Sequence, residues 1–160
     1  MAIGTQTIKL NESGVFDRPN LVLGNKFLIF ETPNTIAKLT NGVINSIFVV
    51  ITGGKIKYDF DILLFKNQLS STIENGKELL LTDSDALNCF AKIRVENNGN
   101  MADDYLNPVG GHYFAGLFNL HIPFSAQAIY GIAVYQEGKN KYTLNNNTSL
   151  VLNYDSSISY

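Results

Sequence analysis

The side chains whose types could carry chemistry in this 160-residue chain are two histidines, several acidic pairs and one cysteine. His112 and His121 fall nine residues apart in a run that reads as one strand. At the strand rise they would lie roughly 30 Å apart and could not share a metal. The acidic pairs are Asp59 with Asp61, Asp83 with Asp85, and Asp103 with Asp104. Calcium needs six to eight oxygens from a flexible loop. The acidic turn 82–85 and the segment 100–111 could supply some of them, but no ligand loop closes with a glutamate. The acids therefore read as solvated turn residues. A paired-carboxylate glycosidase is conceivable on a β-sandwich, but nothing in the spacing brings two carboxylates across a cleft. No tryptophan is present to stack a sugar. Cys89 opens an apolar strand and reads as a small core residue. Nucleophile elbow, phosphate loop and Cys-x-x-Cys patterns are absent, and Gly110-Gly111 is too little for a phosphate cradle. The sequence therefore points away from an enzyme, and no cofactor or metal is expected.

Composition sets the wider bounds. Apolar residues make up 45% of the chain and mean hydropathy is +0.02, which is ordinary for a globular protein. A net charge of −2 leaves no basic footprint for a phosphate backbone, so nucleic acid is not an expected partner. The longest apolar run, 43–51, is interrupted by Asn45 and Ser46. It falls far short of the ~20 residues a bilayer-spanning helix needs, so no membrane partner is expected. With one cysteine, no internal disulfide can form. The opening MAIGTQTIKL lacks a basic segment followed by an apolar core, so a secretory leader is not expected and synthesis in a cytoplasm is.

The elements that would position these residues are strands. Residues 1–20 alternate weakly and read as an N-terminal arm or edge strand, followed by a β-sandwich domain over 21–160. A short strand at 26–31 stops at Pro33-Asn34. Asn41-Gly42 reads as a turn opening 43–52 (VINSIFVVIT), which is apolar on both faces. Such a run suits the middle of a sheet or the underside of a partner chain. Gly53-Gly54 then predicts a hairpin into a strand at 56–65. A polar loop with an Asn75-Gly76 turn follows, then the apolar run 78–81. Thr82 to Asp85 can cap one helical turn before the strand 89–95. Asn98-Gly99 marks another turn, and 100–111 is long enough to be functional. Strands at 112–122, 128–136 and 148–154 close the chain, with a polar tip at 137–147. About eight strands with no long helical periodicity predict an all-β fold, a single-domain antiparallel sandwich of jelly-roll type.

The run DILLF, a polar loop, then IENGKELLLTDSDALNCFAKIRV resembles small β-rich structural proteins of tailed-bacteriophage virions. The residues that carry the resemblance are Asp61, Leu64 and Phe65, then Asp83, Ser84 and Asp85, then Phe90, Ile93 and Val95. Strands at 113–122 and 129–135 also fit that plan, and about half the chain is covered. Glu74-Asn75-Gly76 departs from the Asp-Asn-like pair expected there. The resemblance implies a capsid auxiliary (decoration) or tail protein located in the virion. It would act by assembly with other virion proteins, the major capsid protein first, and as a homo-oligomer. Val43, Ile47 and Val49 on the doubly apolar strand, with Tyr105 and Tyr142 in predicted loops, are the expected interface residues. A second reading is a carbohydrate-binding module on a tail or surface adhesin, in which loop aromatics and carboxylates would converge.

Overall fold

The computed structural model describes residues 2–31, 39–52, 59–95, 112–117, 119–137, 142–144 and 147–159. Along the chain run β1 (Ala2–Asn11), β2 (Gly14–Phe16), β3 (Leu21–Val22), β4 (Phe27–Glu31), β5 (Leu39–Thr52), β6 (Asp59–Phe65), α1 (Asp83–Leu87), β7 (Cys89–Val95), β8 (His112–Leu117), β9 (Ile122–Ala126), β10 (Ala128–Glu137), β11 (Tyr142–Leu144) and β12 (Asn147–Ser159). The fold is all-β, with two antiparallel sheets in a sandwich-like arrangement. The first sheet has the order β1-β12-β5, with β8 and β9 end to end along the far edge of β5. The second has the order β7-β6-β10, with β3 and β4 along the far edge of β10. β11 and β2 form a separate two-stranded ribbon. The described strands outnumber the eight expected because the two- and three-residue pieces are too short to show a period and because the run expected at 112–122 is divided between two strands.

The main core lies between the sheets. Ile8 and Leu10 of β1, Ile44, Ile47 and Val49 of β5, and Leu150 and Leu152 of β12 face Phe60, Ile62 and Leu64 of β6. Ile93 and Val95 of β7 and Ile129 of β10 join them. Burying one such aliphatic side chain stabilises the fold by about 1.5–3 kcal/mol. In β5 the buried residues step by three from Ile44 to Ile47, which simple alternation forbids. The pairing with β12 explains the step. Asn153 opposes Ser46 and Tyr154 opposes Ile44, so Asn45 is an extra residue on β5. This bulge resets the phase and leaves Val43 half-buried, out of step with Ile47 and Val49.

Three expectations fail for identifiable reasons. The predicted hairpin between the fifth and sixth strands does not pair them. β5 already holds β12 on one side and β8 and β9 on the other, while β6 holds β10 and β7. The chain crosses between sheets instead, and Gly53-Gly54 lies outside the described residues. Asn41-Gly42 is not a turn but part of β5. A Cβ on Gly42 would collide with the Asp155 carbonyl oxygen and with the Phe124 ring, whose Cζ would be 2.6 Å away. Glycine is there for close approach, not for positive φ. The predicted strand 112–122 is broken. β8 runs beside Ile47–Thr52 and β9 beside Thr40–Ile44. Between them Asn119 takes φ 57° and Leu120 N–H donates to the Asn45 carbonyl at 2.9 Å. The two histidines thus bracket a break, His112 on β8 and His121 just before β9.

Candidate functional site

The densest polar construction lies in the segment 66–88, which joins β6 to β7 and covers the outer face of the second sheet. Its apolar residues supply a second, smaller core. Leu69 is buried with Phe65, Val22, Ile132 and Val134, and Ile73, Leu79 and Leu81 pack against that group. Backbone bonds tie the segment to the loop around β3: Val22 N–H to the Lys77 carbonyl (2.8 Å), Gly76 N–H to the Val22 carbonyl (2.7 Å) and Leu79 N–H to the Asn20 carbonyl (2.8 Å). Gly76 sits at φ 76°, as the Asn75-Gly76 turn requires. The Asn75 side chain accepts from Gly24 N–H at 2.8 Å and donates to the Ser13 carbonyl at 2.6 Å.

Asp85 closes this segment on itself. Its side chain is 2% exposed. The carboxylate accepts from Ser70 N–H at 3.1 Å and from Ser71 N–H at 2.7 Å. It also accepts from the Ser70 hydroxyl at 3.3 Å and, in a short bond, from the Ser71 hydroxyl. Thr82 caps α1 by accepting from Asp85 N–H at 3.2 Å. In a capping box the acid at this position reaches back to the cap's own N–H. Here the Ser71 hydroxyl oxygen takes that bond at 3.1 Å, which leaves the carboxylate free to hold the serines. The Ser71 hydroxyl, partly opposed by burial and aided by the Ser70 and Ser71 amides, lowers the Asp85 pKa from 3.8 to about 2. A carboxylate this weakly basic is poorly suited to general-base work at neutral pH. Chemically it is a clasp. Asp85 is therefore not the solvated turn residue that the sequence pattern suggested.

The other buried acids are also engaged. Asp61 faces outward from β6 yet is 1% exposed. Across the ladder Arg94 donates to it through Nε and, at 3.3 Å, through Nη2. Lys92 Nζ adds a longer contact at 3.8 Å. Planar guanidinium and carboxylate suit such a two-point pair. Glu12, where β1 ends, accepts from the buried Thr148 hydroxyl. Cys89 packs against the small outer core, where burial pushes its thiol pKa up, and Sγ lies 3.6 Å from the Ala91 carbonyl. Among the described residues, no cluster of three or more histidines, cysteines or acids could hold a metal.

Two surface features remain. A cleft of about 150 Å³ opens where β4, β6 and β10 end, lined by Glu31, Lys66, Asn67, Gln68, Gln127 and Tyr130. Leu80 and Leu87 stand 72% and 83% exposed on the covering segment, one on each side of Asp85 in sequence.

No family model matches the chain. No curated protein matches it either. Among solved structures, one chain from the structure of infectious bursal disease virus Gx strain is similar at 11% identity and TM-score 0.18. The alignment covers 99% of this chain and 41% of that one. A score that low carries no argument about fold or function.

The residues expected at an interface fall in different places. Ile47 and Val49 fill the core between the sheets. The outward residues of the same strand are Phe48 and Val50, both half-buried. Val43 is half-buried and pairs with Pro123 on β9. Tyr142 lies on β11 opposite Phe16 rather than in a loop, because a three-residue strand between polar stretches shows no pattern. Tyr105 lies outside the described residues, as do Asp103 and Asp104. The sequence reading missed Ser70 and Ser71 as partners of Asp85. The detectable signal was Thr82-x-x-Asp85, a capping pattern whose acid turned out to have another use. No helix among the described residues is long and apolar enough to cross a membrane.

Proposed function

We propose that this chain is a virion structural protein of a tailed bacteriophage, an auxiliary or decoration subunit of the capsid that works through protein–protein contacts. The observation that carries the reading is the segment 66–88. It uses its acid, serines and inward leucines to hold one shape and turns Leu80 and Leu87 to solvent. A fixed backbone displaying apolar side chains lowers the ordering cost of docking on another protein surface. The segment and its flanking strands carry the sequence resemblance to virion proteins, with Asp61 on β6, Asp85 in the segment and Ile93 on β7. Mass spectrometry of density-purified particles from cells expressing the native locus tests the reading. A copy number in the hundreds relative to the dominant shell protein fits a decoration role, and a few dozen or fewer moves the chain to tail or vertex. Absence from particles overturns it. Leu80→Asp with Leu87→Asp should leave the fold intact and reduce incorporation.

A second reading, a carbohydrate-binding module, rests on the cleft. Carboxamides, a lysine and a glutamate are groups that bind sugar hydroxyls, and the Tyr130 ring can stack on the C–H face of a sugar. Glycan-array binding that is lost in Gln68→Ala, with particle incorporation unchanged, would favour it.

A further inference from the structure

Each sheet of a sandwich ends in edges whose free N–H and C=O groups can pair with another chain, and proteins usually blunt them. Three of the edges here are blunted. The β8 and β9 edge is two strands, ending at Leu117 and starting again at Ile122, and carries Pro123, which cannot donate to a further strand. The β7 edge carries Lys92 and Arg94 and meets β6 through an irregularity at Leu64/Phe65. The β3 and β4 edge is made of two- and five-residue pieces with a register shift at Ile129/Tyr130, and the covering segment bonds to β3.

The β1 edge has no break, register shift or proline. Its register with β12 runs unbroken from Ala2 opposite Ser156 to Asn11 opposite Asn147. It contains no proline, and its one charge is Lys9. Thr5, Thr7 and Lys9 are exposed, while Ile8 and Leu10 face the core. Among the described residues β1 has a strand partner on one side only.

The geometry points to a second copy of this chain as the occupant of that edge, added antiparallel about a two-fold axis through Gln6. In that register Thr5 of each copy lies opposite Thr7 of the other, on the outer face. Cross-strand threonine pairs are favourable neighbours in a sheet. Residues of the same parity meet, so core-facing positions stay core-facing: Ile8 meets Gly4, over which the Tyr154 ring already lies. The same parity also makes the free backbone groups of the two copies face each other, whichever alternate residues carry them. The two Lys9 ammonium groups end up about 20 Å apart along the strands. A parallel pairing would set the lysines side by side. The joined sheet would run continuously through both copies from one β5 to the other.

This proposal goes beyond the virion reading and does not depend on it. In sedimentation velocity at ~100 µM, the wild-type protein is expected to be a dimer. Thr5→Lys combined with Thr7→Lys, which sets like charges opposite each other at exposed positions, is expected to raise the dissociation constant at least about tenfold. In a Cys89→Ser background, Gln6→Cys is expected to form an inter-copy disulfide on mild oxidation, and Lys9→Cys is not. This arm holds even if the double-lysine variant folds poorly. A monomeric wild type, a dimer unmoved by the lysine substitutions in a folded variant, or equal cross-linking at positions 6 and 9 would each overturn the β1 pairing. None of these outcomes bears on whether the chain is found in particles.

Discussion

The outer faces of the two sheets are built differently. The outer face of the second sheet lies under the segment 66–88, with a small apolar core and two buried acids. The outer face of the first carries a polar ladder. Thr5 donates to Asn153 at 2.8 Å, and Asn153 donates to Ser46 at 2.9 Å. The half-buried Phe48, Val50 and Val151 lie on the same face. Polar groups on the first sheet can be satisfied by their neighbours or by water. On the second sheet the covering segment removes water, so each buried acid needs protein donors. Where a β-protein adds a covering loop, it must therefore also build a polar clasp. Two of the three buried acids among the described residues, Asp61 and Asp85, lie on that side; the third, Glu12, follows β1 of the first sheet.

If the two cores differ as this picture requires, equivalent deletions should differ in size. Ile47→Ala empties a site between the sheets that is fully buried and is expected to cost about 4 kcal/mol. Leu69→Ala, beneath the covering segment and slightly accessible, is expected to cost about 2 kcal/mol because the segment can settle into the gap. Urea unfolding of both variants makes the comparison. Equal costs would mean that the segment is as closely packed as the sandwich.

The strand set was largely legible because its cues are local. β4, β7 and β10 show apolar or β-branched runs bounded by polar residues, and their expected limits hold within a residue or two. Which strands pair was not legible. Gly53-Gly54 reads as a hairpin signal in the sequence, which does not say whether the chain returns alongside or crosses to the facing sheet. That choice was made by β12 on one edge of β5 and by β8 and β9 on the other, all far along the chain. The bulge at Asn45 was hidden for the same reason, and it separated Val43 from Ile47 and Val49. The buried acids were the hardest to read. The partners of Asp85 lie 14 and 15 residues upstream, and those of Asp61 lie on the next strand. A pair of aspartates in a turn looks the same on paper whether water or serine satisfies it.

The clasp itself should show in the acid limb of stability. Asp85 has a pKa of about 2 in the folded protein against 3.8 for an ordinary aspartate. Above about pH 4 the unfolded carboxylate is ionised too, so the stabilisation is fully present. As pH falls toward 2 the unfolded chain binds the proton first, and the contribution drains away. Asp85→Asn turns an NH₂ group toward donors that need an acceptor. It is expected to cost about 3 kcal/mol at pH 7. Urea midpoints across pH should show the gap to wild type narrowing between about pH 4 and 2. A gap constant through that window would assign the loss to packing and not to the carboxylate charge.

The smallest expected effect isolates the cap from the clasp. Thr82→Ala removes the side-chain acceptor for Asp85 N–H and the Thr82 hydroxyl that lies 3.3 Å from the Ser70 hydroxyl. The bonds from Ser70 and Ser71 to the Asp85 carboxylate remain. Loss of a helix cap alone costs about 1 kcal/mol. The Thr82 backbone N–H keeps its bond to Ser71, so the segment should stay docked. Thr82→Ala combined with Asp85→Asn then distinguishes two cases. Additive losses mean that the cap and clasp act separately. A double loss close to that of Asp85→Asn alone means that the threonine acts only by presenting Asp85 to the two serines. Because Ser71 still donates to the carboxylate and still accepts from the Thr82 backbone N–H in Thr82→Ala, the first outcome is favoured.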